Sequence, residues 1–358
     1  MKLFSCPACS QVVFFENVLC ERCGHALGYE PDTNRMLALE PDDGIFVSAG
    51  THSDGASWKY CANYEYGVCN WLIPGDSADQ FCRACRHNVT VPDVSDPDNI
   101  PRWRKMEIAK RRMVYTLIRL GLPLITRDEN PDGLGFDFLA ETPGEPHVMT
   151  GHDNGLITIA LTEADDAERE KRRTSMGEPY RTLLGHFRHE VGHWYWDRLV
   201  RDGNPGALEA CRAIFGDDSE DYGEALQRHY QNGPKANWQD EYVSSYSGAH
   251  AWEDFAETWA HYLHIVDTLE TGHWWGVSVD PRVRDSGLLT TTIDFDVFDR
   301  QAVIDDIDES WLALSAALNS FNRAMGHQDL YPFVISATVR DKLGFIHDLV
   351  RGRVGNES

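Results

Sequence analysis

Eight of the nine cysteines in this 358-residue chain fall within its first 85 positions, in two quartets. Cys6-x-x-Cys9 and Cys20-x-x-Cys23 form two knuckles that can present four thiolates to one tetrahedral metal, with Gly24 supplying the tight turn after the second. Cys61, Cys69, Cys82 and Cys85 make the second quartet. It closes with Cys-x-x-Cys, but Cys61 and Cys69 lack knuckle spacing, and His87 could replace one of its ligands. Closed four-ligand sites leave no position for substrate, so both are read as structural. Segments this short are expected to lack a sufficient core, and metal binding then contributes folding energy on the order of 10–16 kcal/mol per site. Zinc is the expected metal, with iron, as in rubredoxin-like sites, the alternative. No apolar signal segment precedes Cys6, so disulfides are the weaker reading and a cytoplasmic location is expected. Cys211 reads as a buried thiol of the core.

The charge limits what these ribbons can bind. Against 33 basic residues stand 57 acidic ones, a net −24, and a polyanion repels nucleic-acid phosphate. Basic residues cluster at Arg102-Trp103-Arg104-Lys105 and Lys110-Arg111-Arg112. They lie on a helix whose apolar residues are Met106, Ile108, Ala109, Val114, Leu117, Ile118 and Leu120, so they read as its solvated face. A protein partner is therefore the expected target of the ribbons. Residues 92–101, dense in Pro and Asp, read as a linker between a double-ribbon module (1–91) and a second domain (102–358). No apolar run approaches the length of a membrane span.

Residues 189–193 read His-Glu-Val-Gly-His. On a helix His189 and His193 share one face and can hold a single zinc, with Glu190 beside it to take a proton from water. Pro179 suits the helix's first turn, Gly203 and Pro205 supply a stop, and Leu184, Phe187, Val191 and Trp194 form an apolar stripe. A catalytic zinc needs a third ligand and an open position. The metzincin continuation, a glycine and a further histidine, is excluded by Trp194-Tyr195-Trp196-Asp197-Arg198-Leu199. Sixty residues on, Trp252-Glu253-Asp254-Phe255-Ala256-Glu257 opens another helix. Trp252, Phe255, Ala256, Trp259, Ala260 and Leu263 form its core face, and Glu253 and Glu257 line the neighbouring stripe. Glu253 is assigned to the metal. Glu257 is assigned to the second N–H of a ligand histidine, fixing its tautomer. Rival ligands are Glu257 itself, then His250, His261 and His264, while His186 reads as a polar neighbour.

This pattern resembles the gluzincin zinc peptidases, and the Glu-Asp-Phe-Ala-Glu run with Tyr246 seven residues upstream is similar to the catalytic domain of anthrax lethal factor. That resemblance covers two short helices and implies a role for Tyr246 as oxyanion stabiliser or general acid. Over the whole chain, with the late run Asp329-Leu330-Tyr331-Pro332-Phe333-Val334, the sequence resembles a bacterial family of zinc-binding metallopeptidases carrying an N-terminal zinc ribbon. The expected fold is α+β: the double ribbon, then a zincin-like domain with a small twisted sheet, an active-site helix and a mainly helical C-terminal part.

Gly133–Leu139 and Gly155–Leu161 read as strands. Ile157, Thr158 and Ile159 would form an edge that pairs with an extended peptide substrate, the alternative being an interior strand. Glu163 to Arg173 reads as an exposed connection or helix that could hinge, and Ala302–Leu318 and Asp341–Leu349 as amphipathic helices. The Trp194-Tyr195-Trp196 run and the Trp274-Trp275 pair read as core, the alternative being the lining of a subsite. The expectation is a zinc peptidase acting on peptide or isopeptide bonds, with one catalytic and two structural zincs and a ribbon module for targeting or autoinhibition. The alternative is a non-catalytic ribbon adaptor on an inactive zincin platform.

Overall fold

The computed structural model describes residues 1–53, 55–141, 148, 150–176, 182–284 and 286–355, with backbone alone for 172–176. The chain is mixed α/β and forms two compact units, Met1–Arg172 and Arg173–Ser358.

In the first unit the first knuckle lies between β1 (Phe4–Ser5) and β2 (Val12–Val13), an antiparallel pair. The amide that follows each knuckle turns back to its first cysteine: Ser10 N–H donates to the Cys6 carbonyl and Gly24 N–H to the Cys20 carbonyl, both at 2.8 Å. Both residues have positive φ, 62° at Ser10 and 77° at Gly24, which glycine adopts without strain. From the first quartet into the second runs an antiparallel meander, β3 (Ala26–Glu30), β4 (Arg35–Asp42), β5 (Ile45–Ala49), β6 (Ser57–Tyr60) and, between Cys69 and Cys82, β7 (Leu72–Pro74). The sheet curls until its ends meet, with Tyr29 N–H donating to the Asn70 carbonyl at 2.9 Å. Phe4, Phe15, Tyr29, Trp71 and Tyr115 pack as tilted and edge-to-face rings with centroids 4.7–6.1 Å apart. The expectation that the ribbon segments lack a core of their own is corrected, because this meander and an adjoining helix supply one.

That helix, α1 (Asn99–Arg119), takes in the last three residues of the expected linker. The expectation of a solvated basic face holds for Arg104 and Lys105, which are exposed, and is corrected for Lys110 and Arg111. Lys110 is fully buried and Arg111 nearly so. Lys110 Nζ meets the equally buried Glu107 Oε1 at 2.9 Å, and Arg111 Nη1 donates to Asn70 Oδ1 at 2.6 Å. Burial opposes a charge on Arg111, but Cys69, then Glu107 and the other thiolates, offset it and hold its pKa above the usual range. The outer cations are also engaged: Arg104 with the Gly67 carbonyl, Lys105 with Asp166, Arg112 with Glu16.

A second sheet has the order β10-β11-β9-β8, from β8 (Asn88–Thr90), β9 (Gly135–Leu139), β10 (Gly151–Asp153) and β11 (Leu156–Ala160). Both strands read from the sequence are present and pair in parallel. The expectation that Ile157–Ile159 form an edge is corrected: β10 pairs along β11 from Leu156 to Thr158, so β11 is interior and β10 is the edge. The charged segment beyond forms α2 (Asp166–Met176), within which the two units divide.

The second unit is built of helices around α6 (Ala251–Trp274), which packs against α3 (Leu183–Tyr195), α4 (Ala207–Phe215), α7 (Ile304–Ala324) and α8 (Ala337–Val350). A short helix α5 (Tyr222–Asn232) precedes α6. Thr182 caps α3, accepting from Gly185 N–H at 3.0 Å, while Pro179 lies outside the described residues. The rod continues past Tyr195 as a widened π turn and ends at Arg201, before Gly203. Trp194, Tyr195 and Trp196 are buried, whereas Trp274 and Trp275 are exposed, which corrects the reading of the latter pair as core. Among the described residues no helix is long and apolar enough to cross a membrane.

Candidate metal centres and active site

Three groups of potential ligands converge: Cys6, Cys9, Cys20 and Cys23; Cys61, Cys69, Cys82 and Cys85; and His189, His193 and Glu253. Sulfurs bound to zinc at about 2.3 Å on a tetrahedron stand about 3.8 Å apart. The observed Sγ–Sγ distances are 3.6 Å for Cys6–Cys23 and Cys9–Cys20, and 3.7 Å for Cys69–Cys82. Both quartets therefore fit a closed tetrahedral metal. His87 stands apart from the second quartet, its Nδ1–H donating to the Leu134 carbonyl at 2.9 Å. Cys211 is a buried thiol whose pKa burial pushes up to about 12.

In the third group α3 supplies the histidines and α6 the carboxylate. The helices cross closely at Gly192, where the absence of a side chain lets the backbone of Ala256 approach. His189 Nε2 and His193 Nε2 lie 3.2 Å apart, and Glu253 Oε2 is 3.0 Å from the first and 3.6 Å from the second. Ligands bound at about 2.0–2.1 Å on a tetrahedron would be about 3.3 Å apart. Among the described residues the buried Glu253 Oε2 has no hydrogen-bond partner, so the donor set fits a cation. The electrostatics agree: although burial opposes charge, Glu253 and Glu257 hold His189 well above the usual histidine range. The two histidines in turn hold the buried Glu253 well below the usual carboxylate range.

Around this group the partners are specific. His189 Nδ1–H donates to Glu257 Oε1 at 2.7 Å, and Glu257 Oε2 accepts from Ser244 Oγ at 2.7 Å. Glu190 is half-buried and its carboxylate has no hydrogen-bond or ion-pair partner among the described residues. The Tyr246 ring centroid lies 6.2 Å from that of His189. Burial, then the charge of Glu253, raises the Tyr246 hydroxyl far above its ordinary range. Phe255, Ala256, Trp259, Ala260 and Leu263 are buried as a core face should be. Trp252 departs from it, lying with its ring centroid 3.8 Å from that of His193 and so forming a wall of the site.

The rival ligands are engaged elsewhere. His250 caps α6, its Nδ1 accepting from Trp252 N–H at 3.0 Å. His261 Nδ1 meets the Tyr331 hydroxyl at 2.7 Å, which gives the late Asp-Leu-Tyr-Pro-Phe-Val run a place beneath α6. His264 pairs with Arg188 at 2.6 Å. Ser244 and Tyr222 were not anticipated, since Ser244 is a lone polar residue in a loop and Tyr222 opens the short helix α5 with no motif to mark it. Tyr222 donates to Glu253 Oε1 at 2.6 Å. Beside it a cavity of about 290 Å³ is lined by Trp196, Asp197, Arg201, Asp218, Tyr222, His250 and Trp252.

Comparison with known proteins adds the family context. A family described as "Putative zinc-binding metallo-peptidase" matches residues 99–349, and one described as "zinc-ribbon domain" matches residues 3–96. Uncharacterized proteins of Mycobacterium tuberculosis and Mycobacterium bovis are each 42% identical over 355 residues, covering 98% of this chain and 95% of theirs. No solved structure matches the chain.

Proposed function

Since this chain belongs to the zinc-binding metallo-peptidase family, we propose that it is a zinc-dependent peptidase hydrolysing peptide or isopeptide bonds. The observation that carries the reading is the convergence of His189, His193 and Glu253, with Glu190, next to His189 in the chain, having no hydrogen-bond or ion-pair partner among the described residues. Zinc held there supplies Lewis acidity for a water and a carbonyl. Glu190, adjoining the ligand histidine in sequence, takes the proton of the attacking water and returns it to the leaving amine. Tyr246 donates to the oxyanion that develops on the carbonyl. Glu257, oriented by Ser244, accepts the Nδ1–H of His189 and so fixes the tautomer that turns Nε2 toward the metal.

The cysteine quartets hold two structural zincs, and the ribbons serve as a module that targets a protein partner or restrains the enzyme. Half-exposed Val12, Phe14, Val18 and Leu19 on the first ribbon suit an apolar protein surface. The net charge of −24 and the engagement of α1's cations argue against nucleic acid. To test the function, metal-saturated protein is incubated with a mixed peptide library and the products are read by mass spectrometry, with Glu190→Gln as control. Cleavage by the parent that the variant lacks supports the reading. Identical product spectra for the two sink it and leave a ribbon adaptor.

A further inference from the structure

The two oxygens of Glu253 have different surroundings. Oε2 faces the imidazole nitrogens of His189 and His193 at 3.0 and 3.6 Å, while Oε1 accepts the hydroxyl of Tyr222 at 2.6 Å. A carboxylate with a free second oxygen can close on a metal through both and fill the position a catalytic site needs open. Taking the metal-site reading above as its basis, we propose that Tyr222 is a positioning residue that ties down Oε1 and limits Glu253 to one bond to the metal.

The fold places Tyr222 for this task. It is the first residue of α5, which Asp221 caps by accepting from Glu224 N–H at 2.8 Å. His250 links the starts of α5 and α6: its Nε2–H donates to the Glu220 carbonyl at 3.1 Å, and its Nδ1 accepts from Trp252 N–H at 3.0 Å. One imidazole thus sets the residue before the Asp221 cap against the turn that carries Glu253. The Tyr222 ring stands edge-on to both His250 and Trp252, with centroids 5.5 Å apart in each case. A tyrosine needed only for packing would be buried, yet Tyr222 is 38% exposed and its hydroxyl is the group turned onto buried Glu253.

The test is Tyr222→Phe in the full chain, which removes one hydroxyl and leaves the ring. Zinc affinity of the third site is measured by competition with a chelator too weak to strip the ribbons. Cobalt(II) is then placed in that site alone and its visible absorption recorded. The expected result is a loss of affinity of about 10- to 100-fold, a weaker cobalt band as Glu253 gains a second bond, and an unchanged melting temperature. Wild-type affinity and an unaltered cobalt band in Tyr222→Phe would overturn the proposal. A parent protein that binds no metal at this site would bring down the metal-site reading, and the proposal with it.

Discussion

Gly192 of α3 packs directly on the backbone of Ala256 in α6: a Cβ built on Gly192 would lie 3.1 Å from the Ala256 Cα and 3.3 Å from its carbonyl oxygen. The fourth residue of the His-Glu-Val-Gly-His run is therefore what lets the two helices approach until imidazoles and carboxylate share one point. Gly192→Val should push them apart, destabilising the protein by about 1–3 kcal/mol and weakening zinc at the third site. Urea unfolding with metal titration checks this, and a stable variant with parental zinc affinity would show that the crossing has slack.

Glu253→Ala should lower the zinc content from three per chain to two, one for each convergent group that remains. Metal analysis of both proteins expressed side by side decides it. A content equal to the parent's would move the third ligand elsewhere.

Glu190→Gln should keep all the zinc and lose turnover by on the order of 10²–10⁴-fold, the usual contribution of a positioned acid–base group. Hydrolysis at the parental rate by a fully loaded variant would remove Glu190 from the chemistry.

Glu257→Gln replaces the acceptor of the His189 Nδ1–H by an amide, which can still accept but carries no charge to raise the basicity of the imidazole. Zinc affinity at the third site should fall by about 10- to 100-fold, with the ribbons untouched. Chelator competition measures both, and an unaltered affinity would reduce Glu257 to a packing residue.

Lys110→Met leaves Glu107 buried beside Cys85 without its cation. Breaking a buried pair in this way costs about 3–5 kcal/mol, so the first unit should unfold at much lower denaturant than the parent. A midpoint shift too small to resolve would mean that water reaches the pair.

Much of the local structure, and the pairs from which the convergent groups are built, were legible in the chain because they rest on short-range periodicity. Knuckle spacing brings Cys6 to Cys9 and Cys20 to Cys23, and a four-residue step puts His189 and His193 on one face of α3. Alternation and glycine placed β9 and β11 within a residue or two of their bounds. What lay beyond sequence reading depended on partners distant in the chain. Whether β11 is an edge turns on where β10 pairs. Whether Lys110 and Arg111 meet water turns on the thiolates and Asn70 that α1 packs against. A cation on a helix reads as solvated until the fold surrounds it with compensating charge. At the third site Glu253 and Glu257 are chemically alike and four residues apart. The sequence pattern assigned one to the metal and the other to a histidine N–H, and the crossing of α3 and α6 is what turns Glu253 toward both Nε2 atoms and Glu257 toward Nδ1. Tyr222, at the start of α5, and Ser244, in the loop before α6, reach those carboxylates from segments far along the chain from α3. Local pattern determined which residues could serve, and three-dimensional packing decided which oxygen and which nitrogen each one meets.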